Sequence, residues 1–217
     1  MKNRLLVLLI LSLGFVVSAF SQKEFRYYEY QGLGLKAGAN FSTVMLQPSY
    51  TEVIGQMDWE AGLVYVFSHN KFVGVQIEAL YVNRTWKESF EEYSATNQIS
   101  YVQLPLLTNI IIGNGRLKFT INLGSYYAIK IGEEQNIDFP LDHPYYEKIT
   151  SRQVQDSDYG LLIGGGVRYI SDIGIFQLEA RYAYGFKKLY TPSITGFETS
   201  NWSSTQVGLV YFLSLGK

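Results

Sequence analysis

The chain has no cysteine among its 217 residues, and only two histidines and five prolines. Without thiols there is no disulfide framework, no thiolate metal site and no lipid-bearing cysteine behind a leader. His69 and His143 fall in connections at opposite ends of the strand pattern set out below, so they do not share a metal, and zinc and copper chemistry is not expected. Charge is sparse as well. Only 17% of residues are charged, 18 basic against 19 acidic, which leaves no basic excess for a nucleic-acid partner. No stretch carries the 3.6-residue apolar period of an amphipathic helix of useful length.

What is present begins with "MKNRLLVLLILSLGFVVSAFSQ". Lys2 and Arg4 precede an apolar run from Leu5 to Val17, followed by small residues at Ala19 and Ser21, the three regions of a secretory signal peptide. The run is shorter than the ~20 apolar residues of a spanning helix. Residues 1–21 are therefore expected to be an export leader cleaved before Gln22, 22–31 a periplasmic lead-in, and 32–217 a single domain. Loss of Lys2 and Arg4 leaves 16 basic residues against 19 acidic ones, a net charge of −3.

Eight runs rich in β-branched and aromatic residues read as strands: 33–42, 57–68, 71–86, 98–112, 115–131, 158–170, 173–186 and 202–215. Their connections alternate between short and long. The short ones, "HN", "GN" and "SD", are two-residue turns of types that tolerate positive φ. The long ones are 43–56, 87–97, 132–157 and 187–201. An antiparallel up-and-down meander puts all the tight turns at one end and all the long loops at the other, the asymmetry of an outer-membrane barrel. The expected fold is all-β, an eight-stranded antiparallel transmembrane β-barrel.

Alternation along a strand says that two faces differ, not which one meets water. Here the polar face holds Lys36, Asn40, Glu60, Gln76, Glu78, Arg84, Gln103, Asn109, Lys118, Asn122, Lys130, Arg168, Gln177, Glu179 and Arg181. Toward lipid, each basic residue near the midplane costs about 2–4 kcal/mol, and a handful would exceed the roughly 5–15 kcal/mol that holds a typical domain together. In a membrane this face must look inward. Lys36, Lys118, Lys130, Arg168 and Arg181 are then expected to pair with Glu60, Glu78 and Glu179 in one polar network filling a narrow lumen. The opposite face is apolar, as in Leu117, Phe119, Ile121, Leu123, Tyr127, Ile129 and Ile131. Ten residues at about 3.3 Å, tilted by roughly 40°, cover about 25 Å. Aromatics near the strand ends, such as Trp59, Phe67, Tyr159, Tyr169, Phe176 and Tyr184, suit interfacial belts. Pro105 within the fourth strand is a mark of an edge or bulge, and Gly164 to Gly166 weakens its strand but makes room for long side chains from the facing wall or allows a coil.

"GLGLKAGANFS", "QIEALYVNR", "YVQLPLLTNI", "YGLLIGGGVRY" and "FQLEARYAYGF" together resemble the PorT-like family of outer-membrane β-barrel domains, from about Gly32 to Phe212. Each motif alone is little more than alternating strand, and their order carries the likeness. The resemblance implies inward polar positions at Glu78, Glu179 and Arg181, with Gly38 and Asn40 in the first strand and a tolerated Pro105 in the fourth. It also implies outer-membrane lipids and the barrel-assembly machinery as partners. An extracellular or secretion-system protein is a further partner, because the founding member is associated with secretion. Many such barrels finish on a terminal aromatic, whereas here "LSLGK" follows Tyr211 and Phe212.

No cofactor is expected and no catalytic set stands out, so the leading reading is non-enzymatic. Two alternatives stay open. Asp142, His143 and Ser151 share one loop and would suit a rim-placed lipid hydrolase or acyltransferase if held within hydrogen-bond reach. A soluble exported ligand-binding barrel shares the eight-strand meander.

Overall fold

The computed structural model describes residues 30–47, 52–68, 70–90, 92–140, 146, 149–190 and 199–214. The leader, most of the lead-in, His69, Asp142 and His143 lie outside them. Eight strands, β1 (Tyr30–Gln47), β2 (Glu52–Ser68), β3 (Val73–Phe90), β4 (Tyr93–Ile112), β5 (Leu117–Asp138), β6 (Ser157–Ser171), β7 (Gly174–Lys188) and β8 (Thr199–Ser214), form a closed barrel in sequence order. Every neighbour is antiparallel, and β1 closes on β8 from Gly32↔Ser214 to Gln47↔Thr199. Closure removes both sheet edges. At one end the β4–β5 turn uses Gly113 and Gly115 at φ of 117° and 91°, a conformation that favours glycine.

The outward face changes character along its height. On β4, Leu104, Leu106, Ile110 and Ile112 are exposed, whereas above Val102 the outward positions are Ser100, Gln98, Thr96 and Ser94. On β5, past the bulge opposite Ser100 and Tyr101, the change falls between Ile131 and Glu134. Below this line the barrel is wrapped in apolar side chains, with Trp59, Tyr81, Tyr127, Tyr159 and Tyr182 near its upper margin. Above it the wall continues as a polar extension.

That extension corrects the sequence reading at two connections. Segments 43–56 and 87–97 are not long loops, since β1 and β2 run on to Gln47 and from Glu52, and β3 and β4 to Phe90 and from Tyr93. The reason is physical. Above the apolar band a strand no longer needs an apolar outward face, so its alternation fades while its hydrogen-bond ladder persists.

Two local features find their explanation in the pairing. Pro105 pairs with Tyr126 on β5, but the β3–β4 ladder skips from Ile77↔Leu106 to Leu80↔Gln103, so the missing N–H faces a gap in that ladder. The three glycines on β6 make room for the neighbouring strand, not for the facing wall. A Cβ on Gly164 would lie 2.7 Å from Cγ of Arg181, and one on Gly166 would lie 3.1 Å from Cβ of Glu179.

Candidate functional site

The interior of the barrel is the site, and it is stacked in layers. Within the apolar band lies an ionic layer. Arg181 on β7 donates to Glu78 across the barrel at 2.9 and 2.6 Å, and to Glu179 on its own strand at 2.8 Å. Lys36 on β1 places Nζ 2.8 Å from Glu60, 3.0 Å from Glu179 and 3.6 Å from Glu78. All five side chains are buried. Glu78 and Glu179 thus meet from opposite walls with two cations between them, which relieves the repulsion that two carboxylates in a low-dielectric space would suffer.

Toward the tight turns the layer passes into amides. Gln177 donates to Glu179 at 2.7 Å and accepts from Arg168 Nε and Nη2 at 2.9 and 2.6 Å. Asn109 bridges Gln76 and Asn122, and Gln76 donates to Glu78 at 2.6 Å. Beside these amides Val64, Val66, Ile175, Val210 and Phe212 form an apolar plug.

Toward the other end, Arg84 sits fully buried in an aromatic box. Its guanidinium stands 5.0 Å from the Tyr101 ring, 5.2 Å from Trp202 and 5.5 Å from Tyr126. It donates to Asp158 at 2.8 Å and to Gln103 at 2.6 Å, and Tyr126 also donates to Asp158 at 2.7 Å. Above the box, Val44, Leu46, Trp86, Ile99, Tyr190 and Val154 complete a core inside the extension. The β5–β6 connection closes it. Arg152 donates to both oxygens of Glu88 at 2.7 and 2.6 Å, Trp86 donates to the same carboxylate at 3.0 Å, and Arg152 also covers Tyr190 at 5.3 Å. Burial works against the Arg152 charge, but Glu88 overcomes it and holds the guanidinium above its ordinary value. Burial also pushes the Tyr190 phenol up, and the Glu88 carboxylate adds to the effect.

Six of the eight residues picked from alternation share this network: Lys36, Glu60, Glu78, Glu179 and Arg181 directly, and Arg168 through Gln177. The other two stand apart. Lys130 belongs to the extracellular rim, where it reaches Glu133 at 2.9 Å, Asp156 at 3.4 Å and the Val154 carbonyl at 3.1 Å. Lys118 lies at the opposite mouth, cross-strand from Arg168. Alternation assigns a face but not a height, and strand position separates these two lysines from the layer. Asp158, Glu88 and Arg152 were missed. Asp158 carried a usable signal, since it shares the inward parity of Gly160 and Leu162, whereas Glu88 and Arg152 fall in stretches that read as loop. Among the described residues, no group of three or more His, Asp or Glu could hold a metal ion.

A closed meander of eight strands, apolar outside and ionic within, is the architecture of a small outer-membrane barrel. A family model described as the outer membrane protein beta-barrel domain matches residues 20–191. The chain belongs to that family. It is similar to OprG from Pseudomonas aeruginosa over 87% of its own length and 97% of OprG, with 15% identity and a TM-score of 0.54. It is also similar to outer membrane protein W of E. coli, over 86% of this chain and 100% of that one, with 12% identity and a TM-score of 0.43. Ail of Yersinia pestis matches over 86% and 100% of the two chains, with 15% identity and a TM-score of 0.42. No curated protein matches the sequence. At such identities the structures speak to fold alone, while the family match places this small integral barrel in the outer membrane.

Proposed function

We propose that this barrel is a closed, non-enzymatic surface scaffold, sealed within the membrane and exposed to partners through its extracellular extension. The observation that carries this reading is the buried ionic layer. Lys36 and Arg181 bridge three glutamates from β2, β3 and β7 across the full width of the lumen. A path for solute would require breaking a buried network, and removal of one partner of a buried pair costs about 3–5 kcal/mol. The extension and its β5–β6 connection, rich in Glu133, Glu134, Asp138 and Asp156, offer the surface on which a scaffold of this kind performs recognition. A part in secretion, as the PorT-like resemblance implies, would then be played by that surface and not by passage through the barrel.

The test is planar-bilayer recording on the purified wild-type protein, with no stable conductance expected. Reproducible channels would refute the seal. The hydrolase alternative is checked separately, with phospholipid and lipid A acyl esters expected to survive incubation and His143→Ala to change nothing. Turnover that disappears in His143→Ala would replace the scaffold reading.

A further inference from the structure

On the inner wall where β1 closes on β8, polar side chains stand beside one another without bonding. Asn40 faces Gln206 across this seam and Ser42 faces Ser204, and all four are 0–2% exposed. Cross-strand neighbours lie within reach of each other, and an amide facing an amide, or a hydroxyl facing a hydroxyl, offers both a donor and an acceptor. Yet Asn40 Oδ1, Gln206 Oε1 and Nε2, Ser42 Oγ and Ser204 Oγ have no hydrogen-bond partner among the described residues. Asn40 uses only its Nδ2, which donates to the Asn83 carbonyl of β3 at 2.9 Å. Arg181, the partner of Gln206 across β7, turns its Nη atoms to Glu78 and Glu179 and leaves Nε without a partner. The place of these groups in the stack is defined along β8. Gln206 pairs with Arg181 of the ionic layer, Ser204 comes next, and Trp202 belongs to the box around Arg84. They therefore lie between the two layers. The side chains are short there, since Ser42, Ser204 and Ala183 follow one another across β1, β8 and β7 with nothing longer than a serine.

Buried polar groups are satisfied as a rule, by protein or by ordered water. The unpartnered atoms here are two acceptors, Asn40 Oδ1 and Gln206 Oε1, two donors, Gln206 Nε2 and Arg181 Nε, and two hydroxyls that serve as either. An anion would satisfy only the donors and a metal cation only the acceptors. Water both donates and accepts. We propose that a cluster of ordered water molecules occupies a chamber between the ionic layer and the aromatic box, bound by Asn40, Ser42, Ser204, Gln206 and Arg181. At about three hydrogen bonds per buried water, these groups call for about two molecules or more. The cluster joins β1 to β8 on the inside of the seam, beside the ladder that closes the barrel. The chamber rests on the closed lumen proposed above, since an open one would exchange its water with bulk solvent too fast to hold it.

Oxygen-17 relaxation dispersion on the purified protein in detergent micelles detects water held inside the molecule and is blind to exchange of hydroxyl protons. A contribution from long-lived water is expected in the wild type. Gln206→Leu and Ser204→Val, which remove polar atoms and fill the space, should each lose the contribution of about one water molecule or more. Gln206→Asn keeps the amide and shortens the side chain, and should retain the wild-type amplitude or exceed it. Gln98→Ala, on the outer face, should leave the amplitude unchanged, as should replacement of sodium chloride by choline chloride. Heat-modifiable migration establishes that each variant is folded. In a barrel that is silent in planar-bilayer recording, absence of long-lived water, an amplitude undiminished in folded Gln206→Leu and Ser204→Val, or an amplitude that depends on sodium would overturn the chamber and leave the seal standing. Reproducible channels would overturn both.

Discussion

The two halves of the interior are filled by opposite means. In the membrane half the lumen is cross-linked by charge, with Lys36 and Arg181 gathering Glu60, Glu78 and Glu179. In the extracellular half it is filled like the core of a soluble protein, with Trp86 and Trp202 packed edge to face at 5.2 Å and Val44, Leu46 and Ile99 around them. The surroundings explain the inversion. Where lipid covers the outside, the apolar residues belong on the outer face and the lumen receives the polar ones. Where water covers the outside, the ordinary arrangement returns, with Ser94, Thr96 and Gln98 outward and Ala95, Ile99 and Tyr101 inward on a single unbroken strand. Arg84 marks the transition, since it keeps an ion pair with Asp158 and yet lies within an aromatic box.

The contrast is broken most severely by removing Arg181, because Glu78 and Glu179 would then share a buried space with Lys36 as the remaining bridge. Arg181→Met should destabilise the barrel by about 3–5 kcal/mol, read as a lowered midpoint of the heat-modifiable gel shift. The outer face gives the next largest effect. Ile121→Arg and Leu104→Arg should each destabilise by about 2–4 kcal/mol in bilayers, and unfolding titrations should find Asn122→Arg, on the lumen side, milder. A reversed order would reverse the face assignment.

At the extracellular closure, Arg152→Met removes a bidentate charged contact to Glu88, and such hydrogen bonds are worth about 1.5–3 kcal/mol. Its signature should be local, with proteolysis of the β5–β6 connection accelerated more than global unfolding. The smallest effect sharpens the comparison. Gln98→Arg, outward on β4 but above the apolar band, should change stability by no more than about 0.5 kcal/mol, although an arginine at Leu104, on the same outward face of the same strand, falls among lipid-facing neighbours.

Alternation made the membrane half legible, because there the two faces differ in the strongest sense available to a side chain. Leu104 and Gln103, or Ile121 and Asn122, could be sorted from the sequence alone. The extracellular half was less legible. On β4 beyond Gln98 the outward residues Ser94 and Thr96 are polar and inward Asn97 is polar too, so a strand resembled a loop. Pairing partners were the hardest to reach. Arg84 and Asp158 are separated by 74 residues and meet only because strand register brings them to one height, which no local pattern encodes. The same reasoning explains Lys118 and Lys130, which have the right face and the wrong height for the ionic layer.

The natural absence of cysteine allows the central contrast to be measured directly. Asn122→Cys, within the sealed membrane half, and Gln98→Cys, on the water-facing extension, are introduced singly and challenged in intact proteoliposomes with a membrane-impermeant maleimide. The account predicts that Gln98→Cys labels readily while Asn122→Cys stays unmodified until the barrel is unfolded. Labelling of Asn122→Cys in the folded protein at a rate comparable to Gln98→Cys would contradict it.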